Sequence, residues 1–329
     1  MVNAQEWLDE NCPKKERESI EEIDISNKEL EGNLKLEGFV NLEILDCSFN
    51  KNITALKIIG SSKLRHLDCS NNKLTELDVS IFPELEIFYC SDNLLINLEL
   101  SENKELRVLH ISNNNFPKQD LFFLSHLVNL KTLAVGNVRS VLRIEKDTCN
   151  RFEGSLQSLS NLTQLEELDI SSTNINSGLE CLSNSIRRIS CGSSLSGTDW
   201  NVKEIEEKLR NYPFYVGKKA LVMEVSSEIG KKKGTYLPYN YQTWRKDNPE
   251  LIISALQKTI EELKEKNANL EEELQIECEE AKKALEAAQR WREKQLKEIT
   301  TQKDREIEDL KTELEKLQSQ QVQIQVSPK

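Results

Sequence analysis

Apolar residues recur along much of the chain in one short frame. Leucine or isoleucine stands first, an apolar residue follows three places on, and another two places after that. The frame is IEEIDISNK from Ile20, LEILDCSFN from Leu42, LRHLDCSNN from Leu64, LEIFYCSDN from Leu85 and LRVLHISNN from Leu106; LKTLAVGNV from Leu130, LEELDISST from Leu165 and IRRISCGSS from Ile186 repeat it. The starts lie 22, 22, 21, 21, 24, 35 and 21 residues apart. Positions 1, 4 and 6, such as Leu64, Leu67 and Cys69, point into a core. Positions 3 to 5 form a short strand, so positions 3 and 5 alternate onto its other face. The asparagine at position 9 (Asn50, Asn72, Asn93 and Asn114) needs backbone partners if it is buried where the chain turns out of the strand. No single unit can bury its own apolar edge; stacking on its neighbours does so.

A different period governs the end of the chain. Between Pro249 and Pro328 there is neither Gly nor Pro, and Glu, Lys, Gln, Leu and Ala dominate, a composition that favours helix. Leu256, Ile260, Leu263, Asn267, Leu270 and Leu274 fall at spacings of 4, 3, 4, 3 and 4, the heptad seam of a coiled coil. Ile307, Leu310, Leu314, Leu317, Gln321 and Ile324 form a second seam; Cys278, Ala281, Leu285, Ala288, Leu296 and Ile299 form a weaker, phase-shifted one between them. Steps of four such as Leu270–Leu274–Cys278 read as stutters. Asn267 at a core position either sets register, at some cost in stability, or is a break in a weak seam.

The LxxLxLxxN frame is the leucine-rich-repeat signature, and residues 20–194 resemble that superfamily. The opening NAQEWLDENCP (Asn3–Pro13), taken with the LDCSNN and LDIS strands, is similar to an expanded fungal family of intracellular leucine-rich-repeat proteins, some with kinase domains or coiled-coil tails. The resemblance implies an α/β solenoid with a curved parallel sheet on its concave face and helical caps, followed by a long α-helical coiled coil. It implies a binding horseshoe without naming a ligand.

Four segments follow. Residues 1–19 form an N-terminal cap, with Trp7, Leu8 and Cys12 at helical spacing. Residues 20–194 hold about eight repeats. Residues 195–249 join a cap helix in WNVKEIEEKLRN (Trp200, Ile205, Leu209) to a basic and aromatic linker, and 250–326 form the coil. The unit from Leu130 departs from the pattern: Val138 stands where asparagine is expected, and NRFEGSLQSL begins at Asn150. Residues 138–149 therefore read as a loop inserted between strand and turn. Such a loop is either a tolerated surface excursion or a functional loop on a binding face.

Composition narrows the function classes. Of 329 residues, 37% are hydrophobic and 30% charged, against averages of about 45–50% and about 25%, so a single compact globule is not expected. The longest apolar runs, such as Leu121–Leu124, are far short of the ~20 residues of a membrane span. The N-terminus lacks the features of a secretory signal, and the cytosol is the expected location. The net charge of −12 divides into −10 for residues 1–194, +2 for 195–250 and −4 for 251–329. That acidic balance disfavours nucleic acid as a partner.

No catalytic motif stands out. HExxH, GxSxG, kinase HRD and DFG elements and CxxC are all missing from the sequence, and His66, His110 and His126 have no clustered ligand partners at metal spacing. No cofactor, metal or small-molecule substrate is expected. GKKKGT at Gly230–Thr235 lacks the spacing of a phosphate loop. The lysines and tyrosines of 212–249 (Lys218, Lys231, Tyr236, Tyr239, Tyr241) and Trp244 fit a solvated linker with a small packed aromatic cluster better than an anion site. Cys47, Cys69, Cys90 and Cys191 sit at position 6 and read as small core residues; Cys149, in the inserted loop, reads as the exposed one.

The candidate surface is the outward strand face. Position 3 carries Glu22, Ile44, His66, Ile87, Val108, Thr132, Glu167 and Arg188; position 5 carries Asp24, Asp46, Asp68, Tyr89, His110, Ala134, Asp169 and Ser190. Ile44, His66, Ile87, Val108, Tyr89 and His110 beside Asp46 and Asp68 have the composition of a protein-binding hot spot. The sequence thus suggests a non-catalytic scaffold or adaptor, with a protein ligand on the repeats and self-association or docking onto another coil through the tail. A regulatory subunit of a kinase or ubiquitin ligase, and a tether in which the coil is primary, are the alternatives.

Overall fold

The computed structural model describes residues 2–137, 148–192, 202–212, 215–216, 219–220, 223–226, 233–236 and 239–326. The chain divides into two compact units, Met1–Leu256 and Gln257–Lys329.

The first unit is a leucine-rich-repeat solenoid. Strand β1 (Val2–Asn3) and helix α1 (Ala4–Asn11) precede it. Its turns then alternate between a main sheet and the return side: β2 (Glu22–Asp24), β3 (Leu30–Glu37), β4 (Ile44–Asp46), β5 (Asn52–Ile59), β6 (His66–Asp68), β7 (Ile87–Tyr89), β8 (Val108–His110), β9 (Thr132–Ala134), β10 (Glu153–Ser155), β11 (Glu167–Asp169), β12 (Asn174–Ser177) and β13 (Arg188–Ser190). Strands β2, β4, β6, β7, β8, β9, β11 and β13 pair in parallel, and each covers positions 3 to 5 of its repeat. The 35-residue unit does not disturb the ladder, because Thr132 pairs with Glu167 and Ala134 with Asp169. On the return side β1, β3 and β5 form a parallel sheet and β10 pairs with β12.

The core is the set of inward positions. Position 4 (Leu45, Leu67, Phe88, Leu109) and position 6 (Cys47, Cys69, Cys90, Ile111) are fully buried at successive turns. The four cysteines at position 6 are buried, as their place in the repeat predicted. Cys149 is the correction: it is buried, and the exposed thiol is Cys278. Cys149 immediately precedes Asn150, whose side chain is tied into the core, and the chain has already turned inward there.

Buried asparagines hold adjacent turns together. Asn50 Nδ2 donates to the Ile25 and Cys47 carbonyls, both at 2.9 Å. Asn72 reaches Cys47 and Cys69 at 2.9 and 3.0 Å, and Asn93 reaches Cys69 and Cys90 at 2.9 and 3.2 Å. Asn114 reaches Cys90 and Ile111 at 2.9 and 3.1 Å. Each side chain links the position-6 carbonyl of its own repeat to that of the repeat before. Asn150 does the same for Ile111 and Val135, at 2.8 and 3.0 Å, although it lies 20 residues after Leu130. Thr173, shorter, donates only to Ile170 in its own repeat, at 2.7 Å.

Position 8 of the first five repeats, the place before the ladder asparagine in four of them, has a left-handed backbone. Asn27, Phe49, Asn71, Asp92 and Asn113 have φ of 52, 56, 58, 59 and 56°. Asn and Asp tolerate this region, and other side chains meet a steric cost. The recurrent SNN and SDN triplets follow from that geometry.

Both ends of the sheet are covered. Asn3 caps α1 by accepting from the Gln5 and Glu6 amides at 2.9 and 3.1 Å. Ala4 and Leu8, one turn apart, are its buried residues; Trp7 is half-buried beneath Lys28, 5.4 Å from the ring centroid, and Cys12 is the C-cap. Arg17, 3% exposed, was not anticipated. It lies 5.1 Å over the Phe39 ring, donates to the Cys12 carbonyl at 2.8 Å and pairs with Asp9.

At the other end, Val202 and the helix α2 (Lys203–Leu209) bury Val202, Ile205 and Leu209; Trp200 lies outside the described residues. Two short antiparallel pairs follow, β14 (Tyr215–Val216) with β15 (Lys219–Ala220) and β16 (Met223–Ser226) with β17 (Lys233–Tyr236). The GKKKGT motif falls partly outside the described residues. Then β18 (Tyr239–Asn240) pairs antiparallel with β13. It leads into α3 (Tyr241–Asp247), where Tyr241 and Trp244 are buried and stack at 5.6 Å. The Tyr241 hydroxyl lies 3.1 Å from the carbonyls of both Leu179 and Leu182. This aromatic cluster covers what would be an unpaired edge of the parallel sheet.

The second unit is helical. Helix α4 (Pro249–Val326) runs unbroken for 78 residues and supplies every described residue of this unit. Its surface carries ion pairs such as Lys264–Glu261 at 2.8 Å and Arg290–Glu286 at 3.3 Å, each of modest worth at an exposed site.

Candidate interaction face

The strand register places the outward side chains in two rows. Ile44, His66, Ile87 and Val108 are direct neighbours along position 3; Asp46, Asp68, Tyr89 and His110 are direct neighbours along position 5. All eight are half-buried. A one-residue slip would turn every one of them into the core, so the inward leucines and cysteines decide which residues face out.

Tyr89 sits between the two histidines. Its ring is edge-on to His66 at 5.8 Å and 67°, and edge-on to His110 at 4.8 Å and 74°. Burial lowers the His110 pKa, with Glu167 acting weakly in the opposite sense. The Nε2 of His110 is buried with no hydrogen-bond partner. An imidazole of this kind presents a neutral ring at neutral pH.

The aspartates have a structural role as well. Asp46 accepts from the Ser48 amide, Asp68 from the Ser70 amide and Asp169 from the Ser171 amide, each at 2.9 Å. Asp24 accepts from the Ser26 amide and hydroxyl at 2.9 and 2.7 Å, and those bonds hold its carboxyl below the usual range. Burial pushes Asp68 and Asp169 the other way, with the serine bonds opposing it. The D-x-S recurrence is an Asx turn that closes β2, β4, β6 and β11. Among the described residues, no cation lies within ion-pair distance of Asp24, Asp46 or Asp68. Flanking the rows, Glu86 pairs with Arg65 and with Arg107, the latter at 3.3 Å, and Arg188 pairs with Glu167.

The tail seam is arranged differently. Leu256, Ile260, Leu263, Leu270 and Leu274 are 50 to 61% exposed, and Asn267 is exposed with them. The side chains of Leu310, Leu314 and Leu317 lie outside the described residues. Among the described residues, no group of three His, Cys, Asp or Glu side chains is placed to hold a metal ion, and no helix is long and apolar enough to cross a membrane.

No protein-family model matches the chain, and no curated protein matches it. Solved structures similar to it include three from Listeria monocytogenes. The functional domain of InlJ, which includes a cysteine ladder, is 20% identical over 54% of this chain and 50% of that one, with a TM-score of 0.34. Internalin C2 is 20% identical over 50% of this chain and 76% of that one, at 0.36. An internalin InlF is 17% identical over 58% and 67%, at 0.35. The chain spans half the length of the InlJ domain.

Proposed function

We propose that the protein is a non-catalytic interaction scaffold in which the outward strand face binds a protein ligand and the helical tail self-associates. The observation that carries the first half is the patch itself. Four neighbouring strands present Ile44, Ile87 and Val108 in one row with His66, and Tyr89 and His110 in the other. An apolar-aromatic centre on rigid strands, rimmed by charge, is the composition of an energetic hot spot. Asp24, Asp46 and Asp68 give one side of the patch negative charge, which favours a ligand with basic residues beside its apolar anchor. The position-6 cysteines Cys47, Cys69, Cys90 and Cys191 are free thiols, which suits a reducing compartment, and we place the protein in the cytosol.

The test is affinity capture with quantitative mass spectrometry, using the full chain against two variants. Val108→Glu puts a charge in the apolar row of the patch, beside Ile87. Asp46→Asn with Asp68→Asn retains an acceptor for each serine amide while removing the charge. Partners depleted by Val108→Glu, and partly by the double variant, support the reading. Partners indifferent to both, with each variant folded by its tryptophan emission, refute it.

A further inference from the structure

We infer that the tail is a parallel, in-register, two-stranded coiled coil formed with a second copy of this chain. The inference rests on the self-association reading and adds strand number and orientation to it. The seam assigns Leu256, Leu263 and Leu270 to the d position and Ile253, Ile260, Asn267 and Leu274 to the a position. Isoleucine at a with leucine at d favours two parallel strands. These side chains lie on one stripe of an unbroken helix, and the leucines and isoleucines of that stripe are about half exposed or more, which leaves a large apolar face without an occupant in a single chain.

Asn267 decides the orientation. In a parallel in-register pair it meets Asn267 of the partner subunit, and the two carboxamides bond to each other. In an antiparallel pair a faces d, and Asn267 would meet a leucine with its polar atoms unpaired. Charge agrees with the parallel arrangement. Lys266 occupies g and Glu271 the following e, so in register Lys266 faces Glu271 of the partner subunit on both sides of the dimer.

The stutter after Leu274 gives this arrangement a reporter. A step of four carries the seam from Leu274 to Cys278, then to Ala281, Leu285 and Ala288. Cys278, the exposed thiol, thus faces its own counterpart in a parallel register.

The experiment measures mass by sedimentation and cross-links the full chain with a short bis-maleimide, which alkylates one thiol at each end. Two thiol positions are compared: native Cys278, and Ala288→Cys in a Cys278→Ser background; Cys278→Ser alone is the blank. A parallel in-register dimer cross-links at both positions, at least tenfold above the blank. An antiparallel pair has one crossing point; if the 278 thiols meet, those at 288 lie about 30 Å apart at about 1.5 Å per residue. A dimer that cross-links at one position or neither, or an assembly larger than a dimer, overturns the inference while leaving self-association standing. A monomer at micromolar concentration overturns both.

Discussion

Replacing Asn93 by alanine tests the ladder directly. Asn93 is fully buried. Its Nδ2 donates to the Cys69 and Cys90 carbonyls at 2.9 and 3.2 Å, and its Oδ1 accepts from the Leu74 amide at 3.0 Å. Truncation orphans the Leu74 amide in a core that alanine cannot fill, while the Cys69 and Cys90 carbonyls each lose one of two donors and keep the bonds from Asn72 and Asn114. An unsatisfied buried group costs about 1–3 kcal/mol. The orphaned amide, with about 0.5–1.5 kcal/mol for each of the two lost carbonyl bonds and partial relaxation of the turn, gives about 2–4 kcal/mol in total. That is a large share of the ~5–15 kcal/mol by which a domain is stable. Asn93→Thr imitates Thr173, which keeps the bond to its own repeat, and should recover about 1–2 kcal/mol of the loss. The assay is urea unfolding followed by tryptophan emission, with the buried Trp244 reporting on the first unit. Because turns of a solenoid unfold cooperatively only with their neighbours, hydrogen exchange at the Leu74 amide provides a local reading. A midpoint shift worth less than about 1 kcal/mol for Asn93→Ala, with Leu74 still protected, would refute the reasoning.

Three further outcomes are expected. Phe49→Asn should stabilise the protein by about 1 kcal/mol, since Phe49 has φ of 56° and is 46% exposed; thermal unfolding checks the sign. Burial lowers the His110 pKa, so between the folded value and the unfolded value of about 6.5 the unfolded chain binds more protons. Stability should therefore fall as pH drops below about 6.5, and His110→Gln should flatten the dependence of the urea midpoint on pH. Burial raises the Cys47, Cys69, Cys90 and Cys191 thiols far above their ordinary value. A thiol-reactive dye should label Cys278 rapidly in the native protein, the half-buried Cys12 and Cys181 more slowly, and the core four only on unfolding.

The repeat was legible because its information is periodic. Leu64, Leu67 and Cys69 and their counterparts mark one face of a strand, and that parity alone fixes which residues face out. The ladder asparagines were legible for a related reason, since a polar residue recurring in an apolar frame needs a backbone partner. The helix from Pro249 followed from composition and the heptad from spacing, both local properties.

Other features depended on residues far apart in the chain. Tyr239, Tyr241 and Trp244 read as a small packed cluster in a linker, and they do pack, but nothing local shows that Tyr239 pairs with Ile189 or that Tyr241 reaches Leu179. Arg17 carries no local signal of burial; its burial comes from Phe39 and the Cys12 carbonyl. Cys149 looked exposed by its place in an irregular stretch, and is buried because Asn150 beside it spans two turns of the solenoid. The sequence by itself determined the period, the strand parity and the helical tail, since near neighbours decide these. Only the tertiary structure decided what covers the last strand, which polar groups are paired in the core and which thiol meets solvent, since each depends on a partner that the chain brings back from a distant position.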